Sequence, residues 1–237
     1  MISSAAADAV AGAGSTRRII ILVGAPGAGK GTQAGRLAAE LAVPHISTGV
    51  LFRDAVRDES PLGEAVRDYL GRGALVPDDV TLGVVRARLA EEDAADGAIL
   101  DGFPRTRAQA EALDALLAED HDRVLVVLYV EVSQEELVVR LSGRRVCSAD
   151  DQHVYHLVGK PPVREGTCDV EGAPLEQRKD DQPETLRARL ERQMPPMFEV
   201  IDFYAESGNL VTIAGEQAMD AVTSDLLDAV AKASRQA

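Results

Sequence analysis

The chain has 237 residues, 46% of them apolar and 27% charged, with a formal net charge of -14. That length can bury a full core as one large domain with room for insertions, and the acidic excess argues against a nucleic-acid binder that neutralises backbone phosphates broadly. With two cysteines and no long apolar span, the composition suits neither a disulfide scaffold nor a membrane protein. Residues 1–17 are small and weakly apolar, and Arg17 and Arg18 close the stretch instead of opening it, the reverse of a secretory signal. They are expected as a disordered tail on a cytoplasmic protein.

The apolar run from Ile19 to Val23 predicts a strand buried on both faces, as in a parallel sheet. Gly24-Ala25-Pro26-Gly27-Ala28-Gly29-Lys30-Gly31-Thr32-Gln33 follows, a glycine-rich turn opening a helix to about Leu41. Its backbone N–H groups and the helix N-terminus form an anion cradle, to which Lys30 adds a mobile cation; the spacing Gly24-x4-Gly29-Lys30 is a phosphate-binding loop. The hydroxyl arrives at Thr32, after Gly31.

Val43 to Ser47 reads as a short strand and Thr48 to Val56 as a helix. Pro61-Leu62-Gly63 breaks the pattern, a short helix runs to about Leu70, and Gly71 to Asp78 is turn-rich. Residues 47–76 are thus expected as a helical insertion. Val80 to Asp93 reads as a helix and Ala98 to Asp101 as a buried strand that ends in a carboxylate, facing the crevice where such sheets bind ligands. Arg107 to Glu119 is a helix and Val124 to Val130 an interior strand. Ser133 with Glu136 spells a capping box, and the spacing puts Arg140 and Arg144 on one face of the helix that follows.

From Gly143 the periodicity is lost and Gly, Pro, Asp and Cys accumulate, which predicts a lid of short strands over 143–181. A helix from Lys179 to Met194, an interruption at Pro195-Pro196, a helix to Glu206, a strand at Leu210 to Ile213 and a helix from Met219 to Lys232 complete the chain. The alternation of strands and helices gives an α/β three-layer fold with a parallel sheet, its core built from 18–46, 77–142 and 182–237.

Six stretches in this order resemble the adenylate kinases of the long-lid type: Gly24 to Gln33; His45-Ile46-Ser47-Thr48-Gly49; Leu75-Val76-Pro77-Asp78; Asp101-Gly102-Phe103-Pro104-Arg105-Thr106 with Gln109; Gly143-Arg144-Arg145-Val146; and Gln177-Arg178-Lys179-Asp180-Asp181. The resemblance covers Ile19 to the end. It implies a P-loop core with a five-stranded parallel sheet, one insertion closing over a nucleoside monophosphate and a lid closing over the triphosphate, and the Mg²⁺-dependent reaction of ATP with AMP to give two ADP. It implies small-molecule partners only, with no nucleic acid and no membrane, and a monomer. The alternatives are a nucleoside monophosphate kinase of UMP/CMP type and a nucleotide-binding regulator without turnover.

Such a reaction needs positioning and charge neutralisation and no nucleophilic side chain, and arginine suits it because the guanidinium holds two oxygens and stays charged. The resemblance places Gly27, Ala28, Gly29, Lys30, Gly31 and Thr32 around the ATP phosphates with Arg144, puts Arg140 against the ATP adenine, and sets Val154, Tyr155 and the backbone near Gln217 beside it. It places Arg53 and Arg105 on the AMP phosphate, Arg178 and Arg189 on the transferred group, and Thr48, Ala74, Leu75, Val76, Gly102, Phe103, Pro104 and Gln109 around AMP. The resemblance implies that Asp180 and Asp181 orient arginines or lock the lid, the alternative being surface carboxylates at a helix start. It also implies Asp101 as the partner of Mg²⁺ through water. Val50 stands where the family usually has aspartate, which predicts weaker use of Mg²⁺. Cys147, His153, Cys168 and Glu171 fall where relatives hold a structural Zn²⁺, with Asp150 the rival to His153; the alternative is a lid held by hydrogen bonds with both thiols reduced.

Overall fold

A computed structural model describes residues 17–150, 153–178, 181 and 183–236. The expected tail lies outside the described residues except for Arg17, as does Asp180. Arg17 itself is anchored: its backbone N–H and Nε donate to the Asp122 carboxylate at 2.8 and 2.6 Å and its Nη1 to the Leu89 carbonyl at 2.6 Å. Arg17, expected as part of the tail, is thus bonded to the core.

The core is one parallel sheet of five strands, in the order β2, β3, β1, β4, β8: β2 is His45–Ser47, β3 Gly97–Asp101, β1 Arg18–Val23, β4 Arg123–Glu131 and β8 Leu210–Ala214. β1 lies at its centre with Ile19 and Ile21 fully buried, as expected of a strand covered on both faces. The chain winds outward to β2 and back to β3 on one side, then to β4 and β8 on the other. The order therefore reverses around β1, and the loops at the carboxyl ends of β1 and β3 share the crevice that such a reversal opens. Helices α1 (Lys30–Leu41), α4 (Asp78–Leu89), α5 (Arg107–Glu119), α6 (Gln134–Gly143), α7 (Pro183–Glu206) and α8 (Met219–Gln236) belong to this body.

Between β2 and α4 stand α2 (Thr48–Arg57) and α3 (Pro61–Gly71). Pro61 opens α3 instead of merely breaking α2: its missing N–H is one a helix start leaves unbonded anyway, and the Ser60 hydroxyl caps the turn by accepting from the Gly63 N–H. Gly63 is required by contact, since a Cβ there would lie 2.0 Å from the Ala55 carbonyl oxygen. Phe52, Val66 and Val76 form this insertion's own apolar cluster. α4 begins at Asp78, earlier than its periodicity suggested, and ends at Leu89; residues Glu92–Ala94 are a separate short 3₁₀ turn.

Between α6 and α7 is a three-stranded antiparallel sheet in the order β6, β5, β7, formed by Val154–His156, Arg144–Cys147 and Leu175–Glu176. Here the expected shared helix face of Arg140 and Arg144 fails. α6 ends at Gly143, and Arg144, with φ -67 and ψ 137, is the first residue of β5. Arg144 instead pairs with His156 across the β5–β6 ladder, and Gly143 is required beside that ring, since a Cβ there would be 2.2 Å from its Nε2. The capping box is half-formed. Ser133 accepts from the Glu136 N–H, but the Ser133 N–H donates to Glu216, and Glu136 pairs instead with Arg140.

Pro195 and Pro196 lie inside one continuous α7 and do not interrupt it. Each removes an intrahelical N–H, yet Leu186, Leu190, Met197, Val200 and Tyr204 keep one buried helical stripe running past them. Packing of that stripe on the core outweighs the lost bonds. No described helix is long and apolar enough to cross a membrane.

Candidate active site

The loop after β1 needs its glycines: Gly27 and Gly29 hold φ of 88° and 92°, and a Cβ on Gly27 would meet Leu141 at 2.7 Å. Gly29 caps α1 in the left-handed conformation, so the helix N-terminus faces the crevice. The Lys30 ammonium folds back onto the carbonyls of Gly24 and Ala25 at 2.7 and 3.0 Å. Burial lowers its pKa to about 8, the nearby Asp101 carboxylate opposes the shift, and Arg105, Arg189 and Arg144 add to it. Gln33 serves the scaffold: its amide bonds the Met219 carbonyl and the Thr223 hydroxyl of α8.

Asp101 ends β3 beside this loop, with His45 Nε2 3.3 Å from its Oδ2. Burial pushes its carboxyl upward, but the His45 hydrogen bond and the charges of Lys30, His45 and Arg105 outweigh that and hold it below the usual carboxylate range. His45 carried no expected role. Its place in the motif before Ser47 was visible, but its contact depends on β2 pairing with β3, Ser47 opposite Asp101. Val50 is half-buried on α2.

A cavity between α2, α3 and the sheet edge is lined by Thr48, Arg53, Ala74, Leu75, Val76, Gly102, Arg105, Gln109, Arg189 and Gln193, among others. Thr48 donates its hydroxyl to the Gly102 carbonyl at 2.8 Å. Gln109 accepts from the Arg105 N–H and donates to Asp78, both at 2.7 Å, so its amide orientation is set before any ligand arrives. Arg105 Nε donates to the Gly102 carbonyl at 2.7 Å and Nη1 to Gln193 Oε1 at 3.3 Å. Of the expected neighbours, Phe103 is instead packed in the core at 1% exposure, while Pro104 lines a second cavity with Gly24, Pro26 and Lys30. Gly102, Arg105, Arg189 and Gln193 line both cavities. The cradle and the α2–α3 pocket therefore meet at two arginines.

On the lid side, Arg144 donates Nε to Asp181 Oδ2 at 2.7 Å and Nη2 to Oδ1 at 2.5 Å, and Arg189 Nη1 lies 3.6 Å from the same Oδ1. Asp181 thus holds arginines from two elements, and its backbone N–H bonds the carbonyl of half-buried Arg178. Arg140 is pinned by Glu136 and by the Gly215 carbonyl, two residues from Gln217. Gln217 bonds Ala214 and Asp225. Val154 is half-buried, and the Tyr155 ring is enclosed in the lid, with its hydroxyl accepting from the Asp169 N–H at 2.8 Å. Any contact of Tyr155 with a nucleotide would come from its backbone.

Cys147, His153 and Cys168 bring ligand atoms within 4.8 Å of one another. His153 Nδ1 lies 3.7 Å from Cys168 Sγ and 4.0 Å from Glu171 Oε1, while its Nε2 is 3.8 Å from Asp150 Oδ2. For Cys168, burial raises the thiol pKa, but the Glu171 N–H, the Tyr155 hydroxyl, the Val170 N–H and Cys147 bring it down to about 6. Two soft thiols and an imidazole this close together suit Zn²⁺, and the Asp150 carboxylate lies 3.8 Å from the far nitrogen of the imidazole.

A family profile described as Adenylate kinase matches residues 22–209. The chain is 49% identical over 207 residues to an adenylate kinase of Exiguobacterium sibiricum, covering 87% of this chain and 96% of that one. It is 47% identical over 209 residues to an adenylate kinase of Staphylococcus aureus, covering 88% and 97%, and 46% identical over 209 residues, with the same coverage, to one of Staphylococcus epidermidis.

Proposed function

The chain belongs to the adenylate kinase family of phosphotransferases, and from that premise we propose how its own residues carry the transfer between ATP and AMP. The observation that supports this reading best is the pair of cavities that share Arg105 and Arg189. A donor nucleotide sits with its phosphates on the N–H groups of Gly27 to Thr32 and on Lys30, which leaves its loop carbonyls to follow them. The acceptor sits between Thr48, Val76 and Gln109 with its phosphate on Arg53 and Arg105. Arg144, Arg178 and Arg189 converge on the moving phosphoryl group, where they neutralise charge that spreads over its oxygens. The attacking oxygen belongs to the AMP phosphate, so the protein transfers no group to itself.

Residues 47–76 act as the acceptor insertion and 143–181 as the lid, and closure of both keeps water from the reacting phosphate. Asp101, whose orientation His45 fixes, would hold the Mg²⁺ that accompanies ATP, and that ion would supply charge neutralisation at the phosphates. Cys147, His153, Cys168 and Glu171 hold Zn²⁺ as a structural staple of the lid; metal analysis of untagged, chelator-free protein finds about one equivalent, and its absence defeats the assignment. The site is completed by one chain, which supports a monomer, and a single sedimenting species of 25.2 kDa checks it. Work in the cytoplasm fits two thiols kept reduced or metal-bound.

The decisive assay is ADP formation from ATP with AMP, UMP, CMP or GMP as acceptor. Preference for AMP supports the reading; equal use of UMP would replace it, and no product with any acceptor would leave a regulator. Arg105→Ala loses about 3 to 5 kcal/mol of barrier stabilisation, two to nearly four powers of ten in turnover. A loss under about tenfold would sink its role as the acceptor clamp. Val50→Asp strengthens the apparent affinity for Mg²⁺, and an unchanged Mg²⁺ titration would remove Val50 from the argument.

A further inference from the structure

Gln193 lies on α7, 8% exposed, one turn beyond Arg189. No motif marks it. Its Oε1 accepts from Arg105 Nη1 at 3.3 Å across 88 positions of sequence, and its Nε2 donates to the Gly73 carbonyl at 2.9 Å across 120. Only a side chain that both accepts and donates can close this link. A carboxylate could not donate to Gly73, an ammonium could not accept from Arg105, and an aliphatic chain would make neither bond.

Gly73 belongs to the turn after α3. It sits directly on α7, since a Cβ at its φ of 62° would lie 3.2 Å from the Arg189 Cβ. Arg192 adds a parallel bond from its Nη1 to the Arg72 carbonyl at 3.0 Å. Consecutive side chains of α7 therefore grip the end of α3, and one of them also holds the arginine that lines both cavities. On its other side that guanidinium is fixed by the Gly102 carbonyl.

We propose that Gln193 is a positioning residue that couples the α2–α3 insertion to the acceptor arginine: it lets Arg105 take its phosphate-binding orientation when Gly73 is seated on α7. The proposal rests on the reading of this pocket as the AMP site. It predicts that losing the amide weakens the acceptor side and leaves the donor side as it was.

The test is calorimetric titration of the full chain with AMP and, separately, with ATP, for the wild type, Gln193→Met, Arg105→Ala and the double variant. Gln193→Met raises the Kd for AMP about tenfold and that for ATP less than about twofold. In the Arg105→Ala background the same change moves the AMP Kd less than about twofold, because a residue that acts through another has no effect once that partner is gone. An unchanged AMP Kd in Gln193→Met overturns the proposal. So does a parallel rise for ATP, or an equal factor in both backgrounds. Should Gln193→Met fail to fold by circular dichroism, Gln193→Asn, whose shorter amide cannot reach both partners, is judged by the same criteria. A wild type that binds ATP but not AMP defeats the pocket assignment itself, whereas normal wild-type binding with an indifferent Gln193→Met defeats only the coupling.

Discussion

The helical insertion and the lid solve the same problem with different means. Each is a short excursion from the sheet that must hold its shape while standing apart from the main core. The insertion does so with apolar contact: Phe52, Val66 and Val76 form its centre, with Val56, Leu62, Tyr69 and Leu70 of the insertion and Val80 and Val84 of α4 packed around them. The lid buries Val146 and a cluster of Cys147, Tyr155 and Cys168 against which Ala173 and Leu175 pack, and turns Leu157, Val158, Val163 and Val170 outward. So small an apolar cluster falls short of what holds three short strands, and small modules without a core need staples. Among the described residues, Cys147, His153 and Cys168 are the lid's candidate staple.

The most severe way to test this contrast is to remove both thiols. Cys147→Ser with Cys168→Ser releases β5–β7, and amide exchange there approaches that of an unfolded chain, a local loss of several kcal/mol (about 3 or more); exchange in α2 and α3 stays at wild-type rates. Protection persisting in β5–β7 would mean that the thiols are incidental.

Phe52→Ala is the mirror experiment. Truncating this buried ring costs about 3 to 4 kcal/mol, read as faster exchange across α2 and α3 with the lid unaffected. A spread of the effect into β5–β7 would show that the two excursions are one cooperative unit.

Asp181→Asn addresses where the lid joins the core. The carboxylate is fully buried and serves Arg144 and Arg189, so removing its charge leaves two cations facing one another and costs about 2 to 3 kcal/mol. The lid stays folded by exchange but its closure weakens, and the KM for ATP rises more than that for AMP. Equal changes in both would place Asp181 outside the lid's motion.

The smallest effect lies beneath both excursions. The Lys30 ammonium, its pKa lowered to about 8 by burial, is charged below that pH, and bound phosphates raise its pKa. Above about pH 8 ATP binding must take up a proton, so the Kd for ATP rises by up to about tenfold per pH unit. AMP, held by arginines, keeps a flat profile over the same range. For folding the sign is opposite: a depressed ammonium costs stability below pH 8, and that cost fades as the pH climbs from the folded value towards 10.5. A rising AMP Kd would show that Lys30 serves both sites.

Much of this was legible along the chain. The strands at the centre of the sheet read as continuous apolar runs because they are buried on both faces, and the extent of α5, Arg107–Glu119, follows from one-faced helical periodicity. Misreadings cluster where local rules meet distant packing. Arg140 and Arg144 have helical spacing, yet pairing with His156 draws Arg144 into β5. Pro195 and Pro196 look like a break, yet the stripe from Leu190 to Tyr204 carries the helix through. Glu136 has the capping position, yet Glu216 from the β8 turn takes the bond.

The anion cradle is written into its own short stretch, since its geometry depends on glycines that tolerate the φ values at 27 and 29 and on a helix that starts at Lys30. Neighbouring residues settle such features, so a local motif suffices. The aim of the polar side chains comes from packing between distant elements. His45 reaches Asp101 across 56 positions, Arg144 reaches Asp181 across 37, and Gln193 reaches Arg105 across 88. Those bonds exist because strand pairing and helix packing bring the partners to hydrogen-bond distance, and no spacing along the chain encodes that distance.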